Sequence, residues 1–477
     1  MDLVSTLPES IQEAARHLRD GTLSSESLVM ECCRRADLLD DSLGVYISRF
    51  TDEALAAARQ ADVDLRAGVD RGPLQGIPIG VKDCLACAEG PTTAHSLASG
   101  QGWGIGKDAT AVHRLRASGA VITGKATMME FGAGFPDRDK PFPFPRNPWD
   151  PSRWAGGSSS GSASGVIAGM FLGALGTDAG GSIRIPSAFC GATGLKPTYG
   201  RVPTGVSLPL TFTLDHIGTI ASSAWDCAAL FDAIAGFDPS DSTSAEVPTP
   251  GVLSSLEDAS DLQGLRVGVL REHHFLPGGH PELPALFDGG LNKLTSLGAR
   301  VTEVTLPLYR EVVGATFITA LSETLAYHQK NLSEHWHDYS ASMRDLLGLG
   351  AALSGSDYVQ AQRVRRLGQR ALADVFRAVD VIVTPTVGIV APTYEEIEQA
   401  GALALGRIMG AIHTGYWDCM GNPVLAVPLG LTSEGLPLSM QLAGRPFEEQ
   451  VILRTGHALQ EISDWHCKRP DTISPIN

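Results

Sequence analysis

The sequence predicts an α/β fold built around a central sheet, on three observations. Segments with a strand's period alternate with helical ones along the chain. The stretch 265–304 reads as strand, helix and strand in succession, a βαβ-like unit within one sheet. Residues 163–175 are small and almost wholly apolar, which marks a buried helix leading into a buried strand. Length alone, 477 residues, would suggest about three domains. No hinge divides the chain, however, and we read 1–477 as one domain. In that reading 1–67 is an N-terminal helical layer, and 68–220 is the core that carries the motifs. The remainder of the sheet, its covering helices and the pocket segments fall in 221–477.

Composition narrows the partners. At 43% hydrophobic and 19% charged, the chain has ample core. Its net charge of −16 argues against a general nucleic-acid binder, because phosphate contacts dominate that affinity. No basic run suits an anionic membrane, and no apolar run reaches the ~18 residues of a spanning helix. Met1–Ser5 has neither a basic nor an apolar region, so the start is not read as a signal peptide. Eight cysteines spread over this length suit a reducing cytoplasm better than a disulfide framework. With 53 Gly and 29 Pro, short glycine motifs match by chance, so only motifs that occur together carry weight.

Taken in order, residues 8–38 are expected to be helical, broken at Asp20-Gly21, with Ser24 or Ser25 capping a second helix through Cys33. Another helix covers 52–67. Ile77, Ile79 and Val81 alternate as a strand, with Lys82 at its end. Most lysines reach solvent; one that is desolvated has a lowered pKa and serves as a base near neutrality. Cys84 and Cys87 have no second pair or nearby histidines to complete a metal site and are read as structural. Ala111–Ala117 is helical. Gly119–Ala126 falls one residue short of a phosphate loop, since Ala126 stands where Ser or Thr is needed. Phe135–Trp154 is a long irregular loop bordering a site.

Gly156-Gly157-Ser158-Ser159-Ser160-Gly161-Ser162 then leads to Gly176-Thr177-Asp178-Ala179-Gly180-Gly181-Ser182-Ile183-Arg184. A Gly-Gly-Ser turn after a buried strand presents bare N–H groups beside a hydroxyl, as acyl transfer requires. Gly157–Gly161 also fits G-x-S-x-G, with Ser159 in the centre, but no strand precedes it as that elbow demands. Asp178 and Arg184 bracket the second turn and are read as an ion pair that fixes it. A short helix and turn follow, then strand and loop to Ile220, and a helix over 224–235. Residues 238–262 form a surface crossover. His273-His274 and His335-Trp336-His337 lack the spacing of a metal site and are read as surface or pocket-edge residues. Residues 310–378 are mostly helical, 379–385 is a strand, 424–429 and 438–442 are two more, and 451–459 is a last helix.

Three pieces in the right order resemble the amidase signature family: G-I-P-I-G-V-K-D, G-G-S-S-S-G-S and G-T-D-A-G-G-S-I-R-I-P-S-A-F-C-G. Gly124–Thr127, Asn147–Trp149, Gly194–Thr198 and Gly421–Pro423 resemble it too. The likeness runs from about residue 60 to 460. It implies one α/β/α domain around a large mixed sheet. It also implies a Ser-Ser-Lys triad: Ser182 as nucleophile, Ser158 as bridging serine on a cis peptide, and Lys82 as base, with no metal or cofactor. The N–H groups of Ala179, Gly180, Gly181 and Ser182 would form the oxyanion hole. The serines are 24 residues apart, and Lys82 lies 100 before Ser182, spacings that suit the family. Ser160 replaces the family's usual Gly, and Trp154-Ala155 a more usual Thr-Pro. Met129, Phe131 and Gly132 are expected at the substrate.

The implied function is hydrolysis of a small, uncharged or aryl amide. A carbamate or urea-type hydrolase would use the same triad. The amidase component of a tRNA-dependent amidotransferase is a reading of another class, with a partner supplying any tRNA contact. A non-catalytic binding protein is disfavoured because all three triad residues are present. A homodimer would bury apolar surface on the N-terminal helices.

Overall fold

A computed structural model describes residues 8–100, 102–249, 251–256, 261–275, 277–399 and 402–471. The reading of Met1–Ser5 and part of the 238–262 crossover lie outside these residues. Eleven strands are found among them: β1 (Tyr46–Arg49), β2 (Pro78–Lys82), β3 (Val121–Ala126), β4 (Gly173–Asp178), β5 (Thr193–Lys196), β6 (His216–Ala221), β7 (Arg266–Val269), β8 (Arg300–Glu303), β9 (Val381–Pro385), β10 (Val424–Leu431) and β11 (Pro437–Ala443). They form one sheet in the order β1-β3-β2-β4-β6-β5-β10-β11-β9-β7-β8. The sheet is mixed. β3, β2 and β4 run parallel, as do β9, β7 and β8, while the ladders from β4 through β6, β5, β10 and β11 to β9 are antiparallel. The expected α/β class and large mixed sheet are both present, and β7 and β8 pair in parallel as the βαβ-like reading requires.

β1 is absent from the pattern-based reading. Four residues, only one of them buried, are too few for alternation to show. The second N-terminal helix runs over Ser25–Leu43 instead of ending at Cys33. Gly44 stops it in the left-handed region at φ 59°, where a Cβ would also strike the Phe144 backbone.

The helix Ser160–Ile167 is buried at every position. Its serines, alanine and glycines let the backbone approach the sheet closely. A Cβ on Gly161 would meet Thr127 and the Val45 carbonyl, and one on Gly165 would strike Phe171. Phe171 fills the space between this helix and β2, so that Gly80 in the middle of β2 has no room for a side chain. Its ring is fully buried and meets Tyr46 edge-on at 5.6 Å. Phe171 therefore sets the depth at which the helix, and the serines that precede it, sit on β2 and β4. Phe171→Ala is expected to cost about 3–5 kcal/mol of stability by the cavity it leaves. Urea unfolding followed by circular dichroism checks this, and a loss below about 1 kcal/mol contradicts the packing role.

Candidate active site

β2 and β4 are parallel neighbours with Val81 opposite Leu175, so their C-terminal ends lie side by side. Ligands in α/β sheets gather at such ends. Lys82 closes β2, and Thr177 and Asp178 close β4. Lys82 is fully buried. Its Nζ lies 2.7 Å from Ser158 Oγ and 2.6 Å from Thr177 Oγ1. Burial pulls its pKa below that of an ordinary lysine, against the opposing influence of Cys84, Asp215 and Asp178. The amine is thus held among hydroxyls in a site that disfavours its charge.

The three consecutive serines separate by partner. Ser158, whose peptide bond with Gly157 is cis, faces Lys82. Ser159 turns to β4: its Oγ donates to the Thr177 carbonyl at 3.2 Å and accepts the Thr177 N–H at 3.2 Å. Ser160 donates to the Gly156 carbonyl. Only Ser158 is engaged by the amine. The Ser159 N–H donates to the Ser182 carbonyl at 3.0 Å, which ties the two Gly/Ser turns to each other.

Asp178 organises the second turn. Its Oδ1 accepts the Gly181 N–H at 2.6 Å, and its Oδ2 accepts the Ile183 N–H at 3.1 Å. The Gly181 N–H, expected to serve an oxyanion, is taken by Asp178 in this structure. The N–H groups of Gly180 and Ser182 have no protein acceptor among the described residues. Gly180 is exposed, and a Cβ there would meet nothing within 4 Å, so this side of the turn is open.

The Asp178–Arg184 ion pair is present, fully buried, at 3.0 Å. Arg184 also reaches Asp418 at 2.7 Å, the Thr414 carbonyl at 3.0 Å and Gln441 Oε1 at 3.1 Å. Although burial opposes its charge, Arg184 holds the Asp178 carboxyl well below the usual range. Burial drives the Asp418 carboxyl well above it. Behind them, Lys196 Nζ donates to the Asn422 carbonyl at 2.6 Å and lies 3.1 Å from His216 Nε2.

Residues 27–453 match the amidase family profile. The chain belongs to the amidase family. A glutamyl-tRNA(Gln) amidotransferase subunit from Chloroflexus aggregans is 37% identical, over 97% of this chain and 98% of its own length. An amidase from Pseudomonas putida is 36% identical, over 97% and 98%. A chain of the vestigial protein complex that reveals the evolutionary origins of an s-triazine catabolic enzyme superposes with a TM-score of 0.87. It is 30% identical, over 95% of this chain and 98% of its own. As an amidase-family member, the chain is a hydrolase of carbon–nitrogen bonds.

Met129–Gly132 packs against the first Gly/Ser turn. The Met129 N–H donates to the Ser158 carbonyl at 3.1 Å, and its side chain packs on Gly157. A Cβ on Gly132 would lie 3.6 Å from Ser158 Oγ and 3.5 Å from Leu210. Gly132 therefore borders Ser158, and Leu210, which sequence reasoning missed, meets the same point. Phe131 is buried, with its ring on His328 at 4.4 Å. Thr177 was also missed, although it stands inside a motif already singled out. His274, expected at the surface or a pocket edge, is buried, with Tyr309 and His413 over it. Lys125, in the rejected phosphate-loop match, is buried 3.0 Å from Asp83. No helix among the described residues is long and apolar enough to cross a membrane.

Burial pushes Lys196 down to about 7, against ~10.4 in an unfolded chain. Between those values the unfolded chain holds the extra proton, so this residue makes stability rise with pH across that window and lowers it below. The rise amounts to at most about 1.4 kcal/mol per pH unit. Lys196→Met should remove it, seen as a flatter urea-unfolding free energy from pH 7 to pH 10 than in the parent. Equal slopes would contradict this assignment.

Proposed function

We propose that this chain hydrolyses a small, uncharged or aryl amide through Lys82, Ser158 and Ser182, by way of an acyl-enzyme. The observation that carries the reading is the fully buried Lys82 amine on the Ser158 hydroxyl, beside a turn with open N–H groups. A neutral amine has the lone pair to accept a proton, and burial supplies that neutrality. Lys82 takes the Ser158 proton as Ser158 takes that of Ser182, and Ser182 Oγ bonds to the carbonyl carbon. The oxyanion falls to the N–H groups of Gly180 and Ser182, with Ala179 beside them. Collapse breaks the C–N bond, and the relay returns a proton to the leaving nitrogen. Water, deprotonated by the same relay, then cleaves the ester to a carboxylic acid. Every step is acyl or proton transfer among these groups. Met129, Phe131 and Gly132 belong to the substrate side of the site in this reading.

A carbamate presents the same carbonyl to the same nucleophile, and hydrolysis of one is the alternative within this chemistry. A second reading rests on the comparisons: relatives at 37% identity are named as one component of a glutamyl-tRNA(Gln) amidotransferase. In that case the ammonia released would pass to a partner. The first reading places the enzyme in the cytoplasm with reduced cysteines and no direct contact with nucleic acid or membrane. A homodimer would cover the exposed Met30, Leu38 and Val63 of the N-terminal helices.

The purified chain, on its own, should release nitroaniline from an acyl 4-nitroanilide. Lys82→Ala, Ser158→Ala and Ser182→Ala should each lower kcat by roughly 10³-fold or more. Ser160→Ala should cost little, since its hydroxyl serves only the Gly156 carbonyl. Near-normal turnover in Lys82→Ala would sink the triad. Faster release from the alkyl carbamate of the same aniline would move the carbamate reading ahead. Inactivity on both, with glutamine hydrolysis appearing only beside a captured partner, would favour the amidotransferase reading.

A further inference from the structure

The Gly180–Gly181 peptide is gripped at both ends. Its N–H donates to Asp178 Oδ1 at 2.6 Å, and its carbonyl accepts from Thr414 Oγ1 at 2.6 Å. A peptide group is planar, so two opposed hydrogen bonds fix its rotation about the chain direction. We propose that Thr414 is a positioning residue for the oxyanion hole, acting through this peptide. The proposal rests on the reading of Ser182 as nucleophile.

The need for such a grip follows from the residues. Gly180 and Gly181 have no side chains to hold them, and glycine backbone rotates more freely than any other. Gly180 is exposed and has no neighbour on its Cβ side. Gly181 sits at φ 128°, where a Cβ would strike Thr414 Oγ1 itself. The open N–H groups of Gly180 and Ser182 flank the gripped peptide. If that peptide turned over, its carbonyl would meet the Asp178 carboxylate and its N–H would meet Thr414, and the path of the turn that carries the Gly180 and Ser182 N–H groups would change with it.

Thr414 is well placed to act as the fixed end. It is fully buried. Its carbonyl accepts from Arg184 Nη1 at 3.0 Å, and the carbonyl before it, of His413, accepts from Gln441 Nε2 at 2.9 Å. Arg184 in turn holds Asp178, the other end of the grip. One buried guanidinium thus sets both jaws.

Thr414→Val keeps the side chain's shape and removes the donor; Thr414→Ser keeps the donor. The Val variant should lose about 10- to 100-fold in kcat, with KM within about twofold of the parent. The Ser variant should recover most of that loss. Inhibition by an arylboronic acid, which becomes tetrahedral on a nucleophilic serine, should weaken by the same factor as kcat. Affinity for the substrate, measured by calorimetry in a Ser182→Ala background, should stay unchanged when Thr414→Val is added. Parental kcat and boronate inhibition in Thr414→Val would overturn the proposal, as would equal losses in the Val and Ser variants. Failure of the underlying reading looks different: Ser182→Ala alone would then remain active, whatever Thr414 does.

Discussion

The site depends on one carboxylate. Asp178 ends β4 and at once receives the N–H groups of Gly181 and Ile183 and two nitrogens of Arg184. A charge so deeply buried is tolerable only when paired and fully hydrogen-bonded. Here the pairing has a geometric product. The carboxylate can satisfy those donors only if the chain turns sharply after β4, which leaves Ser182 at the mouth of the turn. Arg184 is long enough to reach past Asp178 to Asp418, Thr414 and Gln441. The turn is therefore fastened to segments that arrive more than two hundred residues later.

Lys82 presents the opposite solution to burial. Arg184 keeps its charge because the Asp178 carboxylate pairs with it and the Asp418 carboxyl accepts from it. Lys82 has hydroxyl and carbonyl oxygens instead, from Ser158 and Thr177. The same low-polarity interior that strengthens the first arrangement discharges the second. Two buried basic side chains, one ending β2 and one just past the turn after β4, are thus divided into a permanent charge that shapes the turn and an amine able to take a proton. Lysine suits the second task and arginine the first, because the guanidinium does not give up its proton in proteins.

How much of this is legible in the sequence depends on how far apart the partners are. Strands β2, β4, β7 and β8 declare themselves by alternation or by apolar runs. The glycine and serine turns declare the chemistry, because they need small residues in an order that chance does not supply. Motif alignment singles out Ser158 among the three serines in the sequence, while in the structure they differ by partner: Ser158 meets the Lys82 amine, Ser159 meets Thr177 and Ser160 meets the Gly156 carbonyl. Gly181 shows the limit. A run of backbone donors looks alike along a sequence, and only the turn's path shows that Asp178 takes one of them. Thr414, Asp418 and Gln441 leave no local signal at all, since each is an ordinary polar residue until the sheet brings it to Arg184.

The residues beside Gly132 follow the same logic of distant supports. Leu210, which with Ser158 borders Gly132, sits in a loop that makes no sheet ladder of its own. Asp215 accepts the N–H groups of Leu210 and Thr211, and Thr324 donates to the Leu210 carbonyl. Glu323 accepts from Thr213, while Arg365 donates to the Thr213 hydroxyl. The helices that carry Thr324 and Arg365 lie far from the Gly/Ser turns in sequence. Lys82, Ser158 and Ser182, the proposed triad, therefore belong to one contiguous third of the chain, whereas the supports of Leu210 come from elsewhere. A substitution in those helices can move Leu210 without touching Lys82, Ser158 or Ser182. Such a division would let the proposed acyl-transfer centre keep its geometry while the residues beside Gly132 change.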